Sequence, residues 1–194
     1  MGTAHRVIET PVFKFDQLSD KAKEKAREWW RGCEATDMTW ERERRESLEA
    51  FCNEFPVQAK DWEYDAWTAQ ITARFTGEDD LGTISGSRLV AYLRNNHEPV
   101  LTQPRKYGKR TSKTLREISS CPFTGYCMDE NLLDPIREFL VKPGTWCLSD
   151  LLEECLDRWV KAAREDVKWI NEDEQVDETI LSNEYEFDVS GSIV

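Results

Sequence analysis

The sequence predicts an α+β fold: four to five helices packed on a small, mostly antiparallel sheet, with a long acidic helix near the C-terminus. Three observations carry this. From Leu148 onward, Leu151, Leu152, Cys155, Trp159, Ala162 and Ala163 recur at the three-and-four spacing of one helix face, and Trp169 and Ile170 continue the apolar signal. After Pro56 the period drops to two, most clearly where Ile71, Ala73 and Phe75 alternate with Gln70, Thr72 and Arg74. Finally, 39% of the 194 residues are hydrophobic and 8 Trp, 8 Phe and 5 Tyr are among them. That is enough large apolar surface to bury a core, and it excludes a disordered acidic tail. One domain over 1–194 is expected, with 1–10 a flexible lead-in and 103–114 a flexible basic loop.

The elements follow in order. Val12, Phe13 and Phe15 read as a short apolar strand or staple, and Ser19 is placed to cap a helix from Asp20 to about Arg31. Ala22, Ala26, Trp29 and Trp30 supply its buried face, and Gly32 offers a stop. A second helix is expected from Thr39 to about Glu54, with Trp40, Leu48, Phe51, Cys52 and Phe55 on one side. Strands over 57–62 and 70–76 come next, then the turn Gly77-Glu78-Asp79-Asp80-Leu81-Gly82. Ser85 or Ser87 can cap a third helix through Leu89, Val90, Tyr92 and Leu93 to Asn95-Asn96. Residues 115–127 read as a strand pair, and Asp129 caps a fourth helix containing Leu132, Leu133, Ile136, Phe139 and Leu140. Ser149 then caps the long helix, a shorter one follows from about Asp173 to Leu181, and 184–193 alternates as a last strand. The sheet is expected to combine 70–76, 115–127 and 184–193. Trp29, Trp30, Phe51, Phe75, Leu133, Phe139, Leu152 and Trp159 are expected inside.

The charge is uneven. Lys and Arg number 26 against 38 Asp and Glu, for a net charge of −12. Between Leu148 and Asp188 roughly fourteen acids meet only Arg158, Lys161, Arg164 and Lys168. Such a balance opposes direct binding to nucleic acid or to an anionic membrane and favours a basic protein partner. The opposite bias appears at Arg105, Lys106, Lys109, Arg110, Lys113 and Arg116, read as a connection or a flap onto the acidic surface.

Catalytic chemistry finds little support. His5 and His97 are the two imidazoles, Gly77, Gly82 and Gly86 lack the spacing of a phosphate-binding loop, and no nucleophile elbow is present. Asp79 and Asp80 fit a turn better than a cation site. The six cysteines, Cys33, Cys52, Cys121, Cys127, Cys147 and Cys155, contain no Cys-x-x-Cys pair. Cys121 and Cys127 with His97 are the one grouping to weigh for zinc, and their spacing is irregular. No catalytic residue, metal or cofactor is therefore expected. No run approaches the about twenty apolar residues of a membrane span. With no charged-then-apolar leader, the expected setting is the cytoplasm.

Two blocks resemble a known group. Phe15-Asp16-Gln17-Leu18-Ser19-Asp20-Lys21-Ala22-Lys23, continuing to Ala26, Glu28 and Trp29, resembles the opening of a family of uncharacterised bacteriophage and prophage proteins. Their N-termini read approximately Phe-Asp-Glu-Leu-Ser-Asp-x-Ala-Lys-x-x-Ala. Asn183-Glu184-Tyr185-Glu186-Phe187-Asp188, with Gly191 shortly after, is similar to that group's ending. Those proteins often carry a central Gly-Asp-Gly loop, and Gly77 to Gly82 stands in its place without matching it. The resemblance implies an accessory phage protein in a host cell, with some members labelled antitoxins, and no reaction. Combined with the acidic stretch, it leads to the expectation of an inhibitor of a host nucleic-acid-directed defence system, of anti-CRISPR or anti-restriction type. It would occupy the basic surface of a nucleic-acid-binding effector through Glu153, Asp157, Asp166, Glu172, Asp173, Glu174, Asp177 and Glu178. The alternative is an antitoxin-like or accessory protein that recognises its partner by shape.

Overall fold

Helical spacing near the C-terminus produces the longest element among the described residues. In the computed structural model, which describes residues 11–34, 39–101 and 121–194, Leu148–Ile170 form one helix of 23 residues. Leu148, Leu152, Cys155, Leu156, Trp159, Val160 and Ala163 on one side of it are fully buried. The described residues are α+β, with seven α-helices and two separate two-stranded antiparallel sheets. In chain order these are β1 (Phe13–Lys14), α1 (Asp20–Glu34), α2 (Thr39–Glu54), β2 (Val57–Tyr64), β3 (Ala69–Phe75), α3 (Asp79–Gly82), α4 (Gly86–Leu101), α5 (Met128–Val141), α6 (Leu148–Ile170), α7 (Asp173–Ser182) and β4 (Glu186–Phe187).

The expected single sheet is not formed. Among the described residues the 69–75 strand pairs only with β2, while the C-terminal strand pairs with β1 through Phe13↔Phe187 and Lys14↔Glu186. Residues 121–127 form no strand either. Their backbone wraps the Asp129 carboxylate, to which the N–H groups of Phe123, Thr124 and Gly125 donate at 2.9, 2.8 and 3.3 Å. Asp129 thus sits inside the first turn of α5 and organises the loop before it, rather than capping the helix. Likewise Ser149 lies within α6 and donates its hydroxyl to the Gly82 carbonyl at 3.3 Å. Residues 1–10 and 102–120, including the basic segment 103–116 and the strand expected over 115–120, lie outside the described residues.

Two compact units share the chain, one from Met1–Met38 with Lys168–Val194 and one from Thr39–Val167. In the first, the core is Phe15, Leu18, Ala22, Ala26, Trp30, Val176, Ile180 and Phe187, against which Trp29 and Tyr185 pack. Residues of the 15–29 and 183–191 segments therefore meet in one core. Gly191 fixes their approach: it takes φ +84°, and a Cβ there would lie 2.0 Å from the Ala22 carbonyl oxygen. Helix α1 runs through Gly32 to Glu34 instead of stopping there.

In the second unit, α2, α4, α5 and most of α6 enclose Leu48, Phe51, Leu89, Leu93, Leu132, Leu133, Ile136, Leu152 and Trp159. The β2–β3 hairpin lies on this core, because Trp62 and Tyr64 meet the Trp159 ring edge-on at 6.3 and 6.0 Å. Helix α4 continues past Asn95-Asn96, and through Pro99, to Leu101. Its last turn is held by burial of His97 and Leu101 and by the Phe55–His97 ring contact at 4.4 Å. Some apolar expectations change. Trp29 and Phe75 are only half-buried, and Trp40 and Trp169 are 51% and 56% exposed.

Candidate functional site

The turn geometry of α6 decides where its acids go. Asp150, Glu153, Glu154 and Asp157 stand at i, i+3, i+4 and i+7, so they share one flank while Leu151, Leu152, Cys155 and Leu156 are buried. With Ile71, Thr72 and Ala73 of β3 and with Trp146, these four carboxylates line a groove of about 490 Å³. Trp146 is 43% exposed. It provides a flat apolar wall beside the charges.

Two of the four charges are balanced within the chain. Asp157 pairs with Lys161, and Glu154 lies 3.8 Å from Arg158. Arg158 is itself held by Glu138 through two bonds of 2.8 and 3.2 Å, which push the Glu138 carboxyl below and the Arg158 guanidinium above their usual ranges. Asp150 and Glu153 meet no basic side chain within ion-pair distance among the described residues. The groove is therefore anionic on balance, and nothing among the described residues neutralises it.

The sequence-predicted contact residues are distributed over both units. Glu153, Asp157 and Asp166 belong to the Thr39–Val167 unit, while Glu172, Asp173, Glu174, Asp177 and Glu178 belong to the other. Asp166 lies nine residues beyond Asp157, half a turn round the helix from it. It pairs at 3.3 Å with Arg44, whose guanidinium is buried and lies over the Tyr64 ring at 5.6 Å. Asp177 accepts two bonds from Arg27, at 2.6 and 2.7 Å, and Asp173 accepts one from Arg31 at 2.5 Å. The Asp177 bonds raise the Arg27 guanidinium further above its already high range. These two aspartates tie α7 to α1, Asp177 half-buried and Asp173 exposed. Glu172, Glu174 and Glu178 are exposed, with no ion pair among the described residues.

Sequence reasoning missed Asp150, Glu154, Trp146 and the β3 lining. The acids were legible from their helical spacing. The strand was not, because nothing local specifies which helix a strand lies beside.

The other grouping that was weighed does not assemble. Among the described residues no three His, Cys, Asp or Glu side chains come together as a metal site. Cys121 is buried and Cys127 exposed, whereas His97 places Nδ1 2.7 Å from Glu54 and Nε2 3.4 Å from the Tyr92 hydroxyl. Burial pushes the Cys155 thiol well above its usual range, which keeps it a small hydrophobe. No helix among the described residues is long and apolar enough to cross a membrane.

Comparison of the chain with protein-family models, with curated proteins and with solved structures finds no match.

Proposed function

We propose that the chain is a binding protein without enzymatic activity, and that its acidic groove takes a basic surface on a protein partner. The observation that carries this is the pairing of un-neutralised Asp150 and Glu153 with Trp146 in one groove. Carboxylates on successive helical turns offer a basic nucleic-acid-binding groove the charge spacing it is built to accept, and long-range attraction then accelerates encounter at low salt. Together with the phage-type blocks at 15–29 and 183–191, this supports an inhibitor of a host nucleic-acid-directed defence effector, acting in the host cytoplasm. A second reading, an antitoxin-like or accessory protein recognising shape, is favoured by Trp67, which is 88% exposed at the tip of the β2–β3 hairpin.

The two readings separate by salt. The intact chain is used to capture proteins from a bacterial host lysate at low and at high salt, and each recovered protein is then tested for nucleic-acid binding with and without the chain. Mimicry predicts an effector recovered at low salt, released at high salt, and displaced from its nucleic acid. It also predicts loss of recovery with the Asp150→Lys and Glu153→Lys double variant. A partner retained at both salts and unaffected by that variant, but lost with Trp67→Ala, moves the function to shape recognition.

A further inference from the structure

The groove has a second property besides its charge. Among the described residues sheet β2–β3 has two strands, so each strand keeps one edge without a strand neighbour there. In an antiparallel pair, alternate residues aim both N–H and C=O at the partner, and the residues between them aim both away. The parity here is fixed at both ends of the hairpin. Thr76 N–H donates to the Pro56 carbonyl at 2.9 Å, and Asp65 N–H donates to the Thr68 carbonyl at 3.0 Å. Counting inward from each end, with the irregularity between Ala59 and Asp61 confined to β2, gives one answer. Gln70, Thr72 and Arg74 bond to β2, and Ile71 and Ala73 turn their backbone groups outward. Those outward groups meet no backbone or side-chain partner among the described residues, and both residues are half-buried in the lining of the acidic groove.

The opposite edge is built differently. A smaller groove of about 320 Å³ runs along β2, between Gln58, Ala59 and Trp62 on one side and Glu49, Cys52 and Asn53 of α2 on the other. There the Ala59 backbone faces the half-buried Cys52 thiol. One edge of the hairpin thus faces its own helix α2, and the other lies, among the described residues, beside four carboxylates and a tryptophan.

We infer that the β3 edge takes an extended Lys- or Arg-bearing segment of a partner protein as an added strand. The segment's backbone bonds to Ile71 and Ala73, and its basic side chains reach Asp150, Glu153 and Asp157. This rests on the reading that the groove takes a basic partner, and it specifies the form in which that partner binds. Strand addition places alternate side chains on one face, so a segment with a basic residue at every second position presents all its charge to α6.

The test uses the intact chain and a capped synthetic peptide of about six residues, the usual strand length, alternating Lys and Val. Two isomers carry backbone N-methyl groups, one on every Lys and the other on every Val. Only one set of amides can face β3, so one isomer is expected to bind at least about tenfold more weakly than the parent, while the other stays close to it. Amide hydrogen exchange at Ile71 and Ala73 is expected to slow on binding, with Thr72, already bonded to β2, unchanged. Equal binding by both isomers and the parent, with steep loss in salt, overturns strand addition while leaving the basic-partner reading intact. No binding of the parent peptide at low salt overturns both for this groove. Protection of Ile71 and Ala73 in the chain alone, accompanied by a dimer in sedimentation, overturns the inference in favour of a second copy of the chain.

Discussion

Asp129 is fully buried, yet its two oxygens collect three backbone N–H groups and the Thr124 hydroxyl, which donates at 2.9 Å. A carboxylate so deep in an apolar core is tolerated only when its lone pairs are filled by donors. Its removal would take the shared acceptor from those donors, two of whose residues, Phe123 and Thr124, are half-buried. Asp129→Ala is therefore expected to destabilise the chain by about 2–4 kcal/mol, read as a lower urea midpoint with an unchanged slope. A loss under about 0.5 kcal/mol, the range of an ordinary surface substitution, would show that the 121–127 loop does not depend on this residue. The sequence reading made Asp129 the cap of a helix, and it stands instead in that helix's first turn. The task it performs there was hidden, since its partners are ordinary backbone amides that leave no trace in residue type. Arg27 and Asp177 were hidden for a different reason. They stand 150 residues apart, and each looks alone like one more solvated charge.

At the scale of elements, what was legible is what is local. Helical periodicity found α1, α2, α5, α6 and α7, and alternation found β3. Pairing was not legible, because a two-residue strand such as β4 carries too little pattern to name its neighbour. The neighbour is set by packing, where Trp29 meets Tyr185 and Phe187 edge-on at 5.2 and 5.8 Å. Gly191 is the hinge of that packing, and it stood among the residues of the C-terminal block without any visible reason. Gly191→Ala forces a methyl group against the Ala22 carbonyl and a strained positive φ together, so the turn after β4 must move away from α1. A loss of about 2–4 kcal/mol is expected, together with faster amide exchange at Phe187 and Asp188. The Thr39–Val167 unit serves as the internal control: its exchange, read at Leu132 and Leu133, is expected to stay slow. Equal acceleration in both units would mean that the chain opens as one body.

Over the whole molecule, a net charge of −12 says little until the acids are sorted by what they touch. Asp173 and Asp177 hold two helices together, Asp166 balances a buried arginine and Asp157 pairs with Lys161, so four of the eight acids singled out are engaged within the chain. Asp150 and Glu153 sit in the groove with no such partner. Charge used for folding and charge offered to a partner should then respond oppositely to neutralisation. Asp177→Asn removes half of a bidentate pair in which Arg27 is only 18% and Asp177 only 29% exposed. A loss of about 1–2 kcal/mol is expected from it, with affinity for a basic peptide nearly unchanged. Asp150→Asn with Glu153→Gln instead relieves repulsion between like charges one turn apart. It is expected to leave stability unchanged or to raise it by about 0.3 kcal/mol, while weakening the peptide severalfold and flattening the salt dependence of binding. Thermal unfolding and a titration at two salt concentrations, run on both variants, read all four quantities. If the double variant loses stability while binding holds, the groove acids belong to the fold, and the partner's site must be sought among Glu172, Glu174 and Glu178 of the other unit.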